Sequence, residues 1–122
     1  MMSLLSLGAR VFVAMLAIGG AAEARSLSVR YSSPEAGSTL DGRNAQYVIR
    51  FDGWVDHEAS RLELIENGKV VESLVPVLDS EPDALAASAP MLPAGGYQLR
   101  WHAKSVPDGD FSDGVISFTV AR

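Results

Sequence analysis

The chain has 122 residues, a formal net charge of −5 and no cysteine. The acidic balance argues against nucleic acid or an anionic membrane surface as a partner. The lack of thiols excludes disulfide staples, zinc fingers, CxxC redox chemistry and cysteine nucleophiles, so one domain of this length must be held by its core alone.

The first element is a targeting segment. Arg10 is followed by VFVAMLAIGG (11–20), an apolar run too short for a bilayer, which takes roughly 20 residues. Ala22-Glu23-Ala24 then supplies a small-x-small cleavage pattern. We read residues 1–24 as a cleaved secretory signal and 25–122 as the mature domain; an uncleaved anchor is the other reading. Cleavage removes one acid, Glu23, and one base, Arg10, so the net charge stays at −5.

The remainder patterns as short strands between turns. Residues 26–32 (SLSVRYS) alternate Leu27, Val29 and Tyr31 on one face, and 33–44 form a loop holding Pro34, Gly37 and Asp41-Gly42. Residues 45–51 are a second strand with Tyr47, Ile49 and Phe51 on one side. In 61–75 two alternating runs flank Asn67-Gly68, the strongest short hairpin signal. Residues 76–83 are a loop. ALAASAPML (84–92) is ambiguous between a helix, which alanine favours, and a strand or loose connector, which Pro90 and the short length favour. Residues 95–105 place Tyr97, Leu99, Trp101 and Ala103 inward and Gln98, Arg100, His102 and Lys104 outward. Residues 114–122 close the chain, with Val115 or Ile116, Phe118 and Val120 buried. About seven half-buried strands must cover one another in two sheets, which predicts an all-β, immunoglobulin-like two-sheet Greek-key sandwich.

Few residues carry chemistry. There is no GxSxG, no HExxH and no glycine-rich loop opening a helix, so no enzymatic activity is expected. The two histidines are His57, in a polar segment, and His102, on an outward strand face; a solvated side chain is the plain reading of each. SVPDGDFSDG (105–114) offers Asp108, Asp110 and Asp113 as hard oxygen donors, either for a cation or as an ordinary acidic turn. Past the signal, Met91 is the single thioether and makes no Cu⁺ site. Trp54, beside Gly53, is a partner contact or is partly buried under a connecting loop.

Three segments carry a family resemblance. SVRYSSPEAGSTL (28–40) resembles the opening strand and S-x-P-x-x-G-x-x-L loop of the CopC copper-resistance domain. FDGWVDHEASRLELIENGKVV (51–71) is similar to its central segment. YQLRWHAKS, then Asp108-Gly109, then GVISFTV resemble its closing Y-x-V-x-W-x-x-x-S-x-D-G-H…F-x-V signature. The resemblance implies a periplasmic β-sandwich that binds copper and hands it on, often beside a CopD-type membrane protein or another periplasmic partner. It also implies Cu²⁺ held by an N-terminal histidine plus the Asp and His of the D-G-H turn. On this chain those positions fall at Ser26, Asp108 and Asp110, with one extra residue, Pro107 or a neighbour, before Asp108. Both imidazoles are thus replaced, and copper(II) prefers nitrogen. What remains for a weaker or altered Cu²⁺ site is Asp108, Asp110, Asp113 and His102, provided the strand end brings them together. The α-amine at Arg25 or Ser26 could add a nitrogen. The reading from a different class is a metal-free sandwich used as a periplasmic interaction module. The charge and length allow a monomer.

Overall fold

The computed structural model describes residues 26–41, 43 and 46–121. The expected signal, 1–24, lies outside them, as do Arg25 and Gly42. The described residues form nine strands and no helix: β1 (Val29–Ser33), β2 (Thr39–Leu40), β3 (Gln46–Phe51), β4 (Trp54–Val55), β5 (Arg61–Glu66), β6 (Lys69–Leu74), β7 (Ala84–Ser88), β8 (Gly95–Val106) and β9 (Phe111–Val120). Two of them, β2 and β4, are only two residues long, which accounts for the excess over the seven expected.

The strands segregate into two sheets. One has the order β2-β9-β8-β5-β6, with β4 paired to the far end of β8; the other has the order β1-β3-β7. All pairings are antiparallel except β2 with β9. The sheets cover each other as an immunoglobulin-like sandwich. Between them lie Tyr47, Ile49 and Phe51 of β3, Leu62 and Leu64 of β5, Leu85 and Ala87 of β7, Tyr97, Leu99, Trp101 and Ala103 of β8, and Ile116, Phe118 and Val120 of β9. Alternation dictates this: a period of two sends every second residue to one face, and only those faces are apolar. The Phe51 and Trp101 rings meet edge to face at 5.0 Å between centroids and so join the two sheets.

Three expectations change. The alternation expected across Leu27, Val29 and Tyr31 breaks, because the β1–β3 register shifts between Val29 and Tyr31. An irregularity of that kind re-aims the side chains beyond it. Leu27 and Ser32 are buried, while Tyr31 is exposed. The ambiguous 84–92 segment begins as strand β7, with Ala84 through Ala87 all buried. Its free edge does not reach solvent bare, since Val77 N donates to Ala86 O at 2.7 Å and the loop lies along it. Of the two candidates near the chain end, Ile116 is buried and Val115 is 53% exposed.

Strands β8 and β9 are the longest, at 12 and 10 residues. They carry the acidic turn at one end of the sandwich. Ser105 N donates to Asp110 O at 2.8 Å, and Gly109 N donates to Ser105 O at 2.9 Å. Gly109 takes φ +82°, the left-handed region where a side chain is disfavoured.

Candidate metal site at the acidic turn

His102 sits on the outward face of β8, directly opposite Asp113 of β9 and Arg61 of β5. The ladder therefore builds a cross-strand row, Arg61–His102–Asp113. Within it His102 Nδ1 hydrogen-bonds Asp113 Oδ1. A carboxylate accepts, so Nδ1 is the donor. Phe111, two residues along β9, stacks on the imidazole at 4.5 Å with the planes 14° apart. Lys104, the cross-strand partner of Phe111, places Nζ 5.9 Å from that ring's centroid. The imidazole is thus held at one nitrogen and on one face.

In front of this row is an open cavity of about 470 Å³ lined by Arg61, Glu63, Arg100, Trp101, His102 and Asp113. Arg100 closes on Glu63 with two nitrogens on Oε1, at 2.7 and 3.0 Å. This pair is half-exposed and contributes about 0.2–1 kcal/mol. The underside of the site is shaped by Gly114. A Cβ there would lie 2.5 Å from Trp101 Cζ2, so the missing side chain is what lets the indole seat beneath β9.

The other expected donors lie on the turn itself. Asp108 and Asp110 are exposed at the tip, beyond the row that holds His102 and Asp113. Among the described residues, no three His, Asp or Glu side chains converge into a group that could hold a metal ion. The Ser26 position reaches the same end of the sandwich. Leu27 N donates to Ser112 Oγ at 3.0 Å, and Ser28 N donates to Asp52 Oδ1 at 2.9 Å. The start of the domain is therefore strapped to the first residues of β9, beside the turn. Ser105 Oγ, at the base of the turn, is the one buried side-chain polar atom without a hydrogen-bond partner among the described residues.

His57 has a structural role rather than a solvated one. Its Nε2 lies 3.0 Å from Glu81 O and 2.9 Å from Ala84 O. Both are acceptors, so Nε2 carries the proton and ties the β4–β5 connection to the start of β7. Sequence reasoning missed the Phe111 stack, the Arg61 neighbour and the direct His102–Asp113 contact. The signal was present: a hairpin centred on Pro107-Asp108 puts 102 opposite 113 and 104 opposite 111.

The donor chemistry is mixed. One imidazole and three carboxylates do not reproduce a two-imidazole Cu²⁺ set, since carboxylates are harder donors than Cu²⁺ prefers. The architecture, a small two-sheet β-sandwich, is that of the CopC class. The CopC domain model matches residues 29–121, and the chain belongs to that family. Among solved structures, it is similar to CopC from Methylosinus trichosporium OB3b, at 26% identity and a TM-score of 0.70, over 77% of this chain and 92% of that one. It shares its fold with PcoC, a methionine-rich copper resistance protein from Escherichia coli, at 22% identity and a TM-score of 0.65, over 79% of this chain and 99% of that one. No curated protein matches the chain by sequence.

Proposed function

We propose that the protein is a periplasmic, non-enzymatic member of its family that takes part in copper handling and binds Cu²⁺ weakly or in an altered way. The observation that carries this reading is the His102–Asp113 pair, which keeps one oriented imidazole beside the family's metal turn. Asp108 and Asp110 add oxygen donors at the tip, and an α-amine exposed by cleavage near Ser26 would add nitrogen at the same end. Support for copper as the cargo comes from family membership and from the copper-resistance relative of known structure. Partners of the CopD membrane type fit the same reading.

The test is a Cu²⁺ titration of the purified protein, followed by tryptophan fluorescence and by dialysis stoichiometry. Binding is expected at a Kd below about 10 μM, which corresponds to roughly −7 kcal/mol. His102→Ala should abolish it and the pair Asp108→Ala with Asp110→Ala should weaken it. Absence of saturable binding in that range rejects the copper reading.

One observation favours the second reading, a metal-free interaction module. Trp54 is 62% exposed and pairs across the strands with Val106, also exposed. Bare tryptophan beside apolar surface is a common anchor for a protein partner. A periplasmic partner captured by the native chain and lost with Trp54→Ala, without any copper binding, would favour this reading.

A further inference from the structure

The irregularity in β1 does more than break an alternation. Val29 lies opposite Phe51 and Tyr31 opposite Arg50, so Arg30 is an extra residue between two adjacent positions of β3. Regular pairing would set Arg30 against Arg50 and send Tyr31 inward, to the side of Ile49. The bulge instead brings Arg30 and Tyr31 both to Arg50, on the outer face of the smaller sheet. These three residues and Asp83 line an open cavity of about 390 Å³. Arg50 Nη2 donates to Asp83 Oδ1 at 2.8 Å, and Glu81 Oε1 stands 3.9 Å from the same nitrogen. Nε and Nη1 of Arg50 have no hydrogen-bond partner among the described residues, and neither do the Arg30 guanidinium and the Tyr31 hydroxyl. We propose that this cavity binds a carboxylate group, that of an organic acid or a peptide C-terminus, on Arg30 and Arg50 with Tyr31 beside it.

Charge and donor geometry select the ligand. Two guanidiniums against Asp83 and Glu81 leave the neighbourhood formally neutral, but the charges are not evenly matched. Both carboxylates gather at Nη2 of Arg50, so Arg30 is the cation left without a counter-charge. One uncompensated charge suits a monoanion; a doubly charged phosphate would also face the Asp83 and Glu81 oxygens. A guanidinium is a planar fork of donors that fits the two oxygens of a carboxylate. Asp83, its side chain 24% exposed, orients Arg50 before any ligand arrives. Tyr31 is 53% exposed and gives the ligand's carbon skeleton an aromatic surface to lie on. The site shares no residue with the Arg61–His102–Asp113 row, so it stands apart from the copper reading and either can fail alone.

Arg61 supplies an internal control, being an exposed arginine of the other sheet that also lacks an ion-pair partner among the described residues. The experiment follows the arginine Nε–Hε signals of the ¹⁵N-labelled protein at constant ionic strength. The probes are benzoate, a short peptide with a free C-terminus, its C-terminally amidated form, and inorganic phosphate. Saturable shifts of Arg30 and Arg50 with benzoate or the free peptide are expected, with Arg61 unmoved and the amidated peptide inert. Benzoate alone would identify small acids as the source of the carboxylate, and the free peptide a chain terminus. Arg30→Gln should weaken binding about tenfold, the usual loss of a hydrogen bond to a charged group. Arg50→Lys, which keeps the charge and the partner of Asp83 but not the fork, should weaken it a few-fold, as should Tyr31→Phe. Backbone signals of each variant report whether it has folded, and Arg30, exposed at the bulge, is the substitution least coupled to the core. Shifts that fail to saturate, that appear equally at Arg61, or that survive Arg30→Gln overturn the proposal. Saturable binding of phosphate with none of benzoate or the free peptide overturns it too, in favour of a phosphate site.

Discussion

At the scale of single residues, the site depends on what is absent as much as on what is present. Gly114 faces Trp101 directly across the β8–β9 ladder. The indole fills the space a methyl group would occupy, with atoms 2.5 to 2.8 Å from an added Cβ. The indole is also pinned from the other side by Phe51, so it has little room to retreat. Gly114→Ala should therefore destabilise the fold by about 1–3 kcal/mol, the usual cost of overpacking. Urea unfolding followed by tryptophan fluorescence measures it. If the contact is the cause, the cost should shrink in a Trp101→Leu background; an equal cost there would place the effect in the backbone instead. Nothing in the composition of FSDGV marks this glycine apart from an ordinary turn residue. Its role becomes visible only once Trp101 is known to lie opposite.

At the scale of elements, local chemistry and long-range pairing contribute differently. The β5–β6 hairpin is local. Asn67 and Gly68 take φ of +53° and +79°, the left-handed pair that matches the twist of the flanking strands. The dipeptide announces this without help from the rest of the chain. Gly68 meets no neighbour within 4 Å where its Cβ would be, so Gly68→Ala tests backbone conformation alone. It should cost about 1 kcal/mol, lowering Tm by about 4–8 °C. An unchanged Tm would mean the turn relaxes freely. β1 is the opposite case. Its apolar residues alternate as if Leu27, Val29 and Tyr31 shared a face, yet the shifted register against β3 leaves Tyr31 outside. A bulge is a property of two strands, and one strand's pattern does not contain it. β7 was ambiguous for a related reason: alanine favours a helix in isolation, and pairing with β3 overrides that preference.

At the scale of the molecule, an aromatic cluster spans the two sheets. Tyr47 of β3 packs against Phe118 of β9, 5.9 Å between centroids, and Phe118 stacks on Tyr97 of β8 at the same distance. Burial raises the pKa of the Tyr47 hydroxyl from 10.0 to about 12, and the nearby Tyr97 adds to the shift. The folded state thus holds this proton more tightly than the unfolded chain does. Its contribution is complete below pH 10 and is lost as pH rises toward about 12. Stability of the wild type should accordingly fall over that window, and Tyr47→Phe should fall less steeply. Urea midpoints recorded across the alkaline range check this; parallel profiles would remove Tyr47 from the account.

Much of this architecture is legible in the amino-acid sequence because it is repetitive and local. The alternation of Tyr97, Leu99, Trp101 and Ala103 assigns a face to β8, and Asn67-Gly68 assigns a turn. These follow from period and residue type alone. What the tertiary structure decided is partnership. Until the centre of the hairpin is known, any of Asp108, Asp110 and Asp113 could meet His102, and the ladder, centred on Pro107-Asp108, selects Asp113. A slip of one residue between β8 and β9 would turn Asp113 to the other face and bring its neighbour forward. Register is set by the whole sandwich burying Ile116, Phe118 and Val120 together. The chemistry at the turn is therefore selected by packing along the full length of β9, and three carboxylates close together in sequence end in different places.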